Sequence, residues 1–444
     1  MARTEQSPND APIWTPSAGC PTNITATIPG YNPHTLPAGH YNFPSTAVVH
    51  EALTHCPGLS SLYLRVALRG CSNWPDRWNL PFALEGGTTY PPLKHLSLEG
   101  YDFDQSEWTD ARPPDWWFDL GAWSWWVQSG RAARWWEYRK LPIEERIKTN
   151  LDLWLDAMEF EKLESLGMRV DWAVPKSFEE KAIPRLEGLK ELALYEAPDC
   201  GRSAAWIRRL KPLTSLKWIG GFGMDGVAPR ALLSRHGKTL ETLELRREEW
   251  LGGRRPVLSV TELEQLRESA PRLKSLSVDV NRNGTWPVEE LEAIANISSL
   301  ERADGWLEYA SDLALEEYYQ GKQAYEMESR HRNDDLLLQN PLLDKKGAEK
   351  LWDIMRKKAG ERLKEVVFYA GDWTRSWDGP LHLAGWLEHK KERWYCSEGG
   401  CVEKWGDHEY DGIDEEESLS EVEINDEDEE EKRELKALQK EMEL

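Results

Sequence analysis

A six-residue phrase, Leu-x-x-Leu-x-Leu, returns along this chain, often with Pro or Gly just upstream. It reads Leu59-Ser-Ser-Leu62-Tyr-Leu64, Leu93-Lys-His-Leu96-Ser-Leu98, Leu189-Lys-Glu-Leu192-Ala-Leu194 and Leu240-Glu-Thr-Leu243-Glu-Leu245. Weaker copies are Leu163-Glu-Ser-Leu166-Gly-Met168, Leu213-Thr-Ser-Leu216-Lys-Trp218 and Leu273-Lys-Ser-Leu276-Ser-Val278, with Leu363-Lys-Glu-Val366-Val-Phe368 as a degenerate last one. Ile297-Ser-Ser-Leu300 begins correctly but puts Arg302 where an apolar residue belongs. Recurrence of this kind constrains architecture more than any local motif, because every copy must build the same unit and the units must cover one another. Successive first positions are separated by 34, 70, 26, 24, 27, 33, 24 and 66 residues, so most units match in length and the two long gaps imply insertions.

Alternate side chains of a strand face opposite ways. The second and third apolar positions of each phrase therefore point into a core, and the residues beside them point out. Helical segments of the right size lie between the phrases. Thr46–His55 carries Val48, Val49 and Leu53. Val260–Ser269 carries Leu263 and Leu266, and Ser259 and Glu262 are spaced as a capping box. Pro287 suits a helix first turn ahead of Leu291 and Ile294, and Gly347–Ala359 places Leu351, Ile354 and Met355 at helical spacing. A helix is also expected over about 147–160. Strand, helix and strand again predict an α/β leucine-rich-repeat solenoid: a curved parallel sheet with helices on its convex side.

The expected organisation is an irregular or disordered segment over 1–44, a repeat domain over 45–400 and an acidic disordered tail over 407–444, in which 431–444 suits a short helix. Insertions are expected at about 101–145, which is Trp-rich, and at about 304–345, which reads as helical. The chain carries a net charge of -23, but residues 407–431 hold fifteen Asp or Glu and no Lys or Arg. Setting aside that -15 and the +1 of the closing stretch leaves residues 1–406 at -9. Nucleic acid is not expected as a partner, since phosphate backbones are gripped by clustered Lys and Arg. The six cysteines are too scattered for a small secreted disulfide framework. No apolar leader or membrane-length run is apparent. A cytoplasmic or nuclear setting is therefore expected, and the Asn-x-Ser/Thr sequons at Asn23, Asn283 and Asn296 read as chance.

Several motifs invite sharper readings. Residues 101–160 hold nine of the 24 tryptophans, which suits a packed cap or an aromatic platform for a partner or a sugar. Arg131, Arg134 and Arg139 stand beside Trp135 and Trp136, in reach of cation–π pairing. Gly221, Gly223 and Gly226 satisfy the dinucleotide-binding spacing, with Glu244 and Glu248 about 20 residues on. Repeat turns need glycines too, so an NAD(P)-binding oxidoreductase is the third function considered. His50 and His55 are five apart, not the four that would put two zinc ligands on one helix face. Cys396, Cys401, His389 and His408 offer four zinc-ligand types at a spacing that matches no common finger. No cofactor, metal or catalytic set is expected.

The copies at Leu59, Leu93, Leu189, Leu240 and Leu273 resemble the leucine-rich-repeat proteins of filamentous fungi, many of them F-box proteins. The stretch from Ala231 to Leu245 and that from Pro271 to Val278 carry the resemblance most clearly. It implies a substrate receptor that docks on a ubiquitin-ligase adaptor, although residues 1–44 hold no F-box pattern and Leu141-Pro-Ile-Glu-Glu resembles only the start of one. The leading expectation is a non-enzymatic scaffold that binds a protein partner on its concave face. The residues expected there are Tyr63, Arg65, His95, Glu99, Glu191, Tyr195, Thr242, Glu244, Arg246, Ser275, Ser277 and Asp279.

Overall fold

The computed structural model describes residues 12–28, 41–66, 79–84, 86–113, 124, 126–127, 130–170, 174–196, 203–220, 228–247, 249, 254–320, 335–371 and 392–403. Its centre is one open twelve-stranded sheet whose strands lie side by side in chain order. They are β1 (Asn23–Ile28), β2 (Ser61–Val66), β3 (His95–Glu99), β4 (Ser165–Val170), β5 (Glu191–Glu196), β6 (Ser215–Ile219), β7 (Thr242–Arg246), β8 (Ser275–Val280), β9 (Arg302–Leu307), β10 (Glu365–Ala370), β11 (Glu392–Ser397) and β12 (Gly400–Glu403). β1 to β10 pair in parallel, and β11 and β12 turn back antiparallel. Residues 1–404 make one compact unit.

Each phrase forms a strand, and the apolar positions align across the sheet. One inward row runs Ile24, Leu62, Leu96, Leu166, Leu192, Leu216, Leu243, Leu276, Ala303 and Val366. The next runs from Ala26 and Leu64 through Trp218 and Leu245 to Gly305 and Phe368. All of these are buried. At Gly305 an added Cβ would lie 3.4 Å from the Phe368 ring, so the neighbouring strand fills the space its missing side chain leaves. The first leucine of each phrase is buried as well, from Leu59 to Leu363.

Just ahead of each strand the backbone is bonded like a further rung. The N–H of Lys94 donates to Ser60 O, that of Glu164 to Lys94 O, that of Lys190 to Glu164 O, and so on to Lys364 and Glu301. Beyond β6, Gly220 (φ 94°) brings its Cα so near β5 that a Cβ would stand 1.7 Å from Glu196 O. Only glycine fits there.

Helices Thr46–His55, Asn150–Ala157, Val260–Ser269, Val288–Ala295 and Lys345–Ala359 contribute side chains to the same core as the inward rows. Thr46–His55 and Val260–Ser269 form as expected, and Ser259 and Glu262 close their capping box. A second box, Thr149 with Asp152, opens Asn150–Ala157, within the helix expected over 147–160. The helix read at Gly347–Ala359 begins two residues earlier, at Lys345, where Asp344 accepts the N–H of Gly347.

Three expectations need correction. Residues 1–44 are not irregular throughout: β1 adds a rung, and Trp14 packs against Phe43 beside it. The copy read from Ile297 is framed three residues early, since Leu300 is its first position and Ala303 and Gly305 face inward. The second insertion therefore starts after β9 rather than at 304. Its described part contains Asp312–Tyr319, as a helix. The tail at 407–444 lies outside the described residues. Among those described, no helix is long and apolar enough to cross a membrane.

Candidate protein-binding face

The outward row of the sheet places all twelve nominated residues on one face, but not in one state. Over β2 to β6 most of the face is accessible, Arg65 and Ile219 being the buried exceptions. His95 and Glu191 are exposed, and Tyr63 is 38% exposed. The Tyr63 hydroxyl donates to Glu99 Oε2 at 2.7 Å. Burial, and then the Glu99 carboxylate, hold the Tyr63 phenol above its ordinary range. Glu99 Oε1 also lies 3.4 Å from Arg65 Nη2 and 3.6 Å from Arg169 Nε. The Arg169 guanidinium and the Lys217 ammonium both approach the Tyr195 ring, at 5.7 and 5.9 Å from its centroid. Lys217 reaches Glu244 at 2.8 Å. Between these groups the floor is small, made by Ser97, Gly167 and Ala193 in register. The result is a shallow patch of paired charges, two tyrosines and small residues, suited to a polypeptide surface.

Over β7 to β9 the face is sealed toward the strand ends by its own side chains. Arg246 is 1% exposed and Asp279 4%. The Arg246 guanidinium sits 3.1 Å from the Trp306 ring centroid, and Trp306 stacks on Tyr369 at 3.9 Å. The Trp306 indole N–H donates to Ser277 Oγ at 3.0 Å. Asp279 Oδ1 is 2.9 Å from Arg255 Nη1 and 3.7 Å from Arg246 Nε, and the carboxylate also accepts the N–H of Arg247. Burial raises the Asp279 pKa, and the two guanidinium groups oppose that rise. Glu244 and Ser277 are buried with them, whereas Thr242 is exposed and Ser275 half-buried. Arg65, at the other end, is buried under Glu99.

The seal continues past the strand ends. Glu249 accepts the N–H groups of Tyr309 at 2.9 Å and Ala310 at 2.7 Å, and burial raises its pKa. Arg254 joins Glu308 at 3.3 Å and Asp312 at 2.7 Å, and Arg255 donates to Trp306 O. Arg282 donates through Nε to Glu308 O and through Nη1 to Pro341 O; burial brings its pKa down to about 10. Gln339 donates to Arg282 O at 2.9 Å and to Glu308 Oε2 at 3.1 Å. The chain after β7 and the insertion after β9 are thus laced across the ends of β8 and β9. Each charge faces an opposite charge or a backbone group, the arrangement that makes buried charge tolerable.

Sequence reasoning passed over Glu249, Arg254, Arg255, Arg282 and Glu308 because they lie outside the phrase. Arg169 and Lys217 were readable: they occupy outward positions of the copies at Leu163 and Leu213, but those copies looked weak.

The remaining motifs come apart. His50 Nδ1 lies 2.7 Å from Tyr90 Oη, while the His55 ring faces Trp14, so the two imidazoles do not converge. Cys396 and Cys401 are bonded to each other as a disulfide, which leaves no thiolate for zinc; His389 and His408 lie outside the described residues. So do Gly221, Gly223 and Gly226. Among the described residues no group of three or more His, Cys, Asp or Glu could hold a metal ion. A cavity of about 290 Å³ lies in the crossovers between residues 183–187 and 209–211, lined by none of the face residues. In the Trp-rich stretch, Trp126 is buried and donates to Ala111 O, Trp108 stacks on Trp135 at 5.7 Å, and Arg139 lies over Trp135 at 4.7 Å. Trp136 stays 56% exposed. No protein family matches the chain, and no curated protein is similar to it.

Proposed function

We propose that this chain is a leucine-rich-repeat solenoid that binds a protein partner on its outward sheet face, chiefly over β2 to β6. The observation that carries the reading is the alignment of the strands in chain order, with an outward row that is accessible at most positions over β2 to β6 and sealed toward the strand ends over β7 to β9. A surface of Tyr63, His95, Glu99, Arg169, Glu191 and Tyr195 offers aromatic anchors and paired charges without a deep pocket, the composition of a polypeptide contact rather than a small-molecule site. The partner is a folded surface or an extended segment with charges of both signs.

Photo-crosslinkers placed singly at Glu191 and Tyr195 in the full-length protein test this. Both should capture one common partner, and a crosslinker at Glu289, on the helix Val288–Ala295, should not. Capture at Glu289 but at neither face position would overturn the reading. Glu191→Arg should weaken capture by the crosslinker at Tyr195 and leave the thermal midpoint unchanged.

A further inference from the structure

The structure joins four of the six cysteines. Cys20 is bonded to Cys56 across 36 residues, and Cys396 to Cys401 across five. The first bond ties the segment before β1 to the end of the helix Thr46–His55, and the second ties β11 to β12. One disulfide thus secures each end of the sheet. Such bonds persist in oxidising compartments and are rare in reducing ones.

A second, independent mark agrees with that setting. The three sequons are Asn23-Ile-Thr25, Asn283-Gly-Thr285 and Asn296-Ile-Ser298, and all three asparagines are exposed. Asn23 opens β1, three residues after Cys20. Asn283 stands in the exposed turn after β8, where Gly284 takes a φ of 69° that lets the chain reverse. Its oxygen accepts from Arg254, so that bond does not use the amide nitrogen. Asn296 is the exposed residue that ends the helix Val288–Ala295. The contrast lies inside: Asn79 and Asn150 are buried and bonded to each other, and neither stands in a sequon.

We propose that Asn23, Asn283 and Asn296 are N-glycosylation sites, in a chain that matures where disulfides form. The donor is a lipid-diphosphate-linked oligosaccharide. The asparagine Nδ2 bonds to the sugar C1, the bond from C1 to the phosphate oxygen breaks, the lipid diphosphate leaves, and Nδ2 gives up one proton. The folded protein has only to leave each modified asparagine in water, as it does at all three positions.

The test takes the full-length protein from its source cells. Treatment with a peptide N-glycosidase in heavy-oxygen water should convert the occupied asparagines to labelled Asp, read by peptide mass at 23, 283 and 296. Label at any of the three supports the proposal. Unmodified asparagine at all three, in peptides that cover them, overturns it. For a protein glycosylated at Asn283, Asn283→Gln and Thr285→Ala should each remove the mass of one glycan, and Thr285→Ser, which keeps the sequon, should retain it. Retention of that mass in Thr285→Ala would overturn the assignment at this site.

Discussion

Arg246 and Asp279 show how far a residue's address in the phrase reaches. Alternation along the strand places both on the outward row, and the structure keeps them there. What alternation does not encode is the neighbour two strands away: Trp306 closes over Arg246, and Arg255 arrives from a loop to meet Asp279. The expected phenotype is therefore a loss of stability and not of a partner alone. Arg246→Ala leaves a buried carboxylate short of one partner, and should cost about 3–5 kcal/mol, read as a lower urea midpoint. Full stability with loss of a bound partner would return Arg246 to the contact surface. Leu243 poses the opposite case, since its inward place follows from the phrase alone. It is 2% exposed, and Leu243→Ala should cost about 2–5 kcal/mol through the cavity it leaves. An unchanged urea midpoint would deny that it fills the core.

At the scale of elements, the strands were legible because a two-residue alternation repeats with the same leucines. The frame at β9 was missed because Ala303 and Gly305 replace the large residues that mark other copies, and β1 was missed because Ile24, Ala26 and Ile28 alternate without any leucine. A finer pattern is also present in the sequence. In seven of the nine copies the residue after the first leucine is charged, and these form a ladder along the strand starts: Lys94, Glu164 and Lys190, then, past Thr214, Glu241, Lys274, Glu301 and Lys364. Glu164 meets Lys190 at 2.6 Å, and Glu241 meets Arg272 at 2.6 Å and Lys274 at 2.8 Å. Hydrogen bonds from Lys190, Lys274 and Lys364 hold the carboxyls of Glu164, Glu241 and Glu301 below the usual carboxylate range. A depressed carboxyl stabilises the fold above its unfolded pKa, and that contribution is lost as pH falls through the folded value. Glu241→Gln should therefore have a lower urea midpoint than the parent at about pH 7 and match it in acid, once the pH has fallen through the folded value of Glu241. A gap that persists in acid would mean that Glu241 acts through packing. Capping is local too: Ser259→Ala removes the acceptor for the N–H of Glu262 and should cost about 0.5–2 kcal/mol.

For the whole molecule, a list of phrases tells how the middle of the sheet is built and says little about its ends. A middle strand is covered on both sides by its neighbours, whereas an end strand needs a cap that the phrase does not contain. Here the caps are Trp14 with Phe43 at one end and the β11–β12 hairpin at the other, each beside a disulfide. Cysteine spacing could not reveal the bond between Cys20 and Cys56, because pairing across a long loop depends on which residues the fold brings within about 4.4–6.8 Å of each other at Cα. Cys20 and Cys56 lie 36 residues apart in sequence and 5.3 Å apart at Cα. Opening that bond with Cys20→Ser and Cys56→Ser together should cost about 2–4 kcal/mol. The cost should also be localised, since in a stack where each strand meets only its neighbours an end unit can open alone. Amide hydrogen exchange in the double variant should quicken first in β1 and β2 and keep the parent's rate in β6 to β8. Equal acceleration along all the strands would show that the sheet opens only as a whole, and the cap would then govern the entire structure rather than its first rungs.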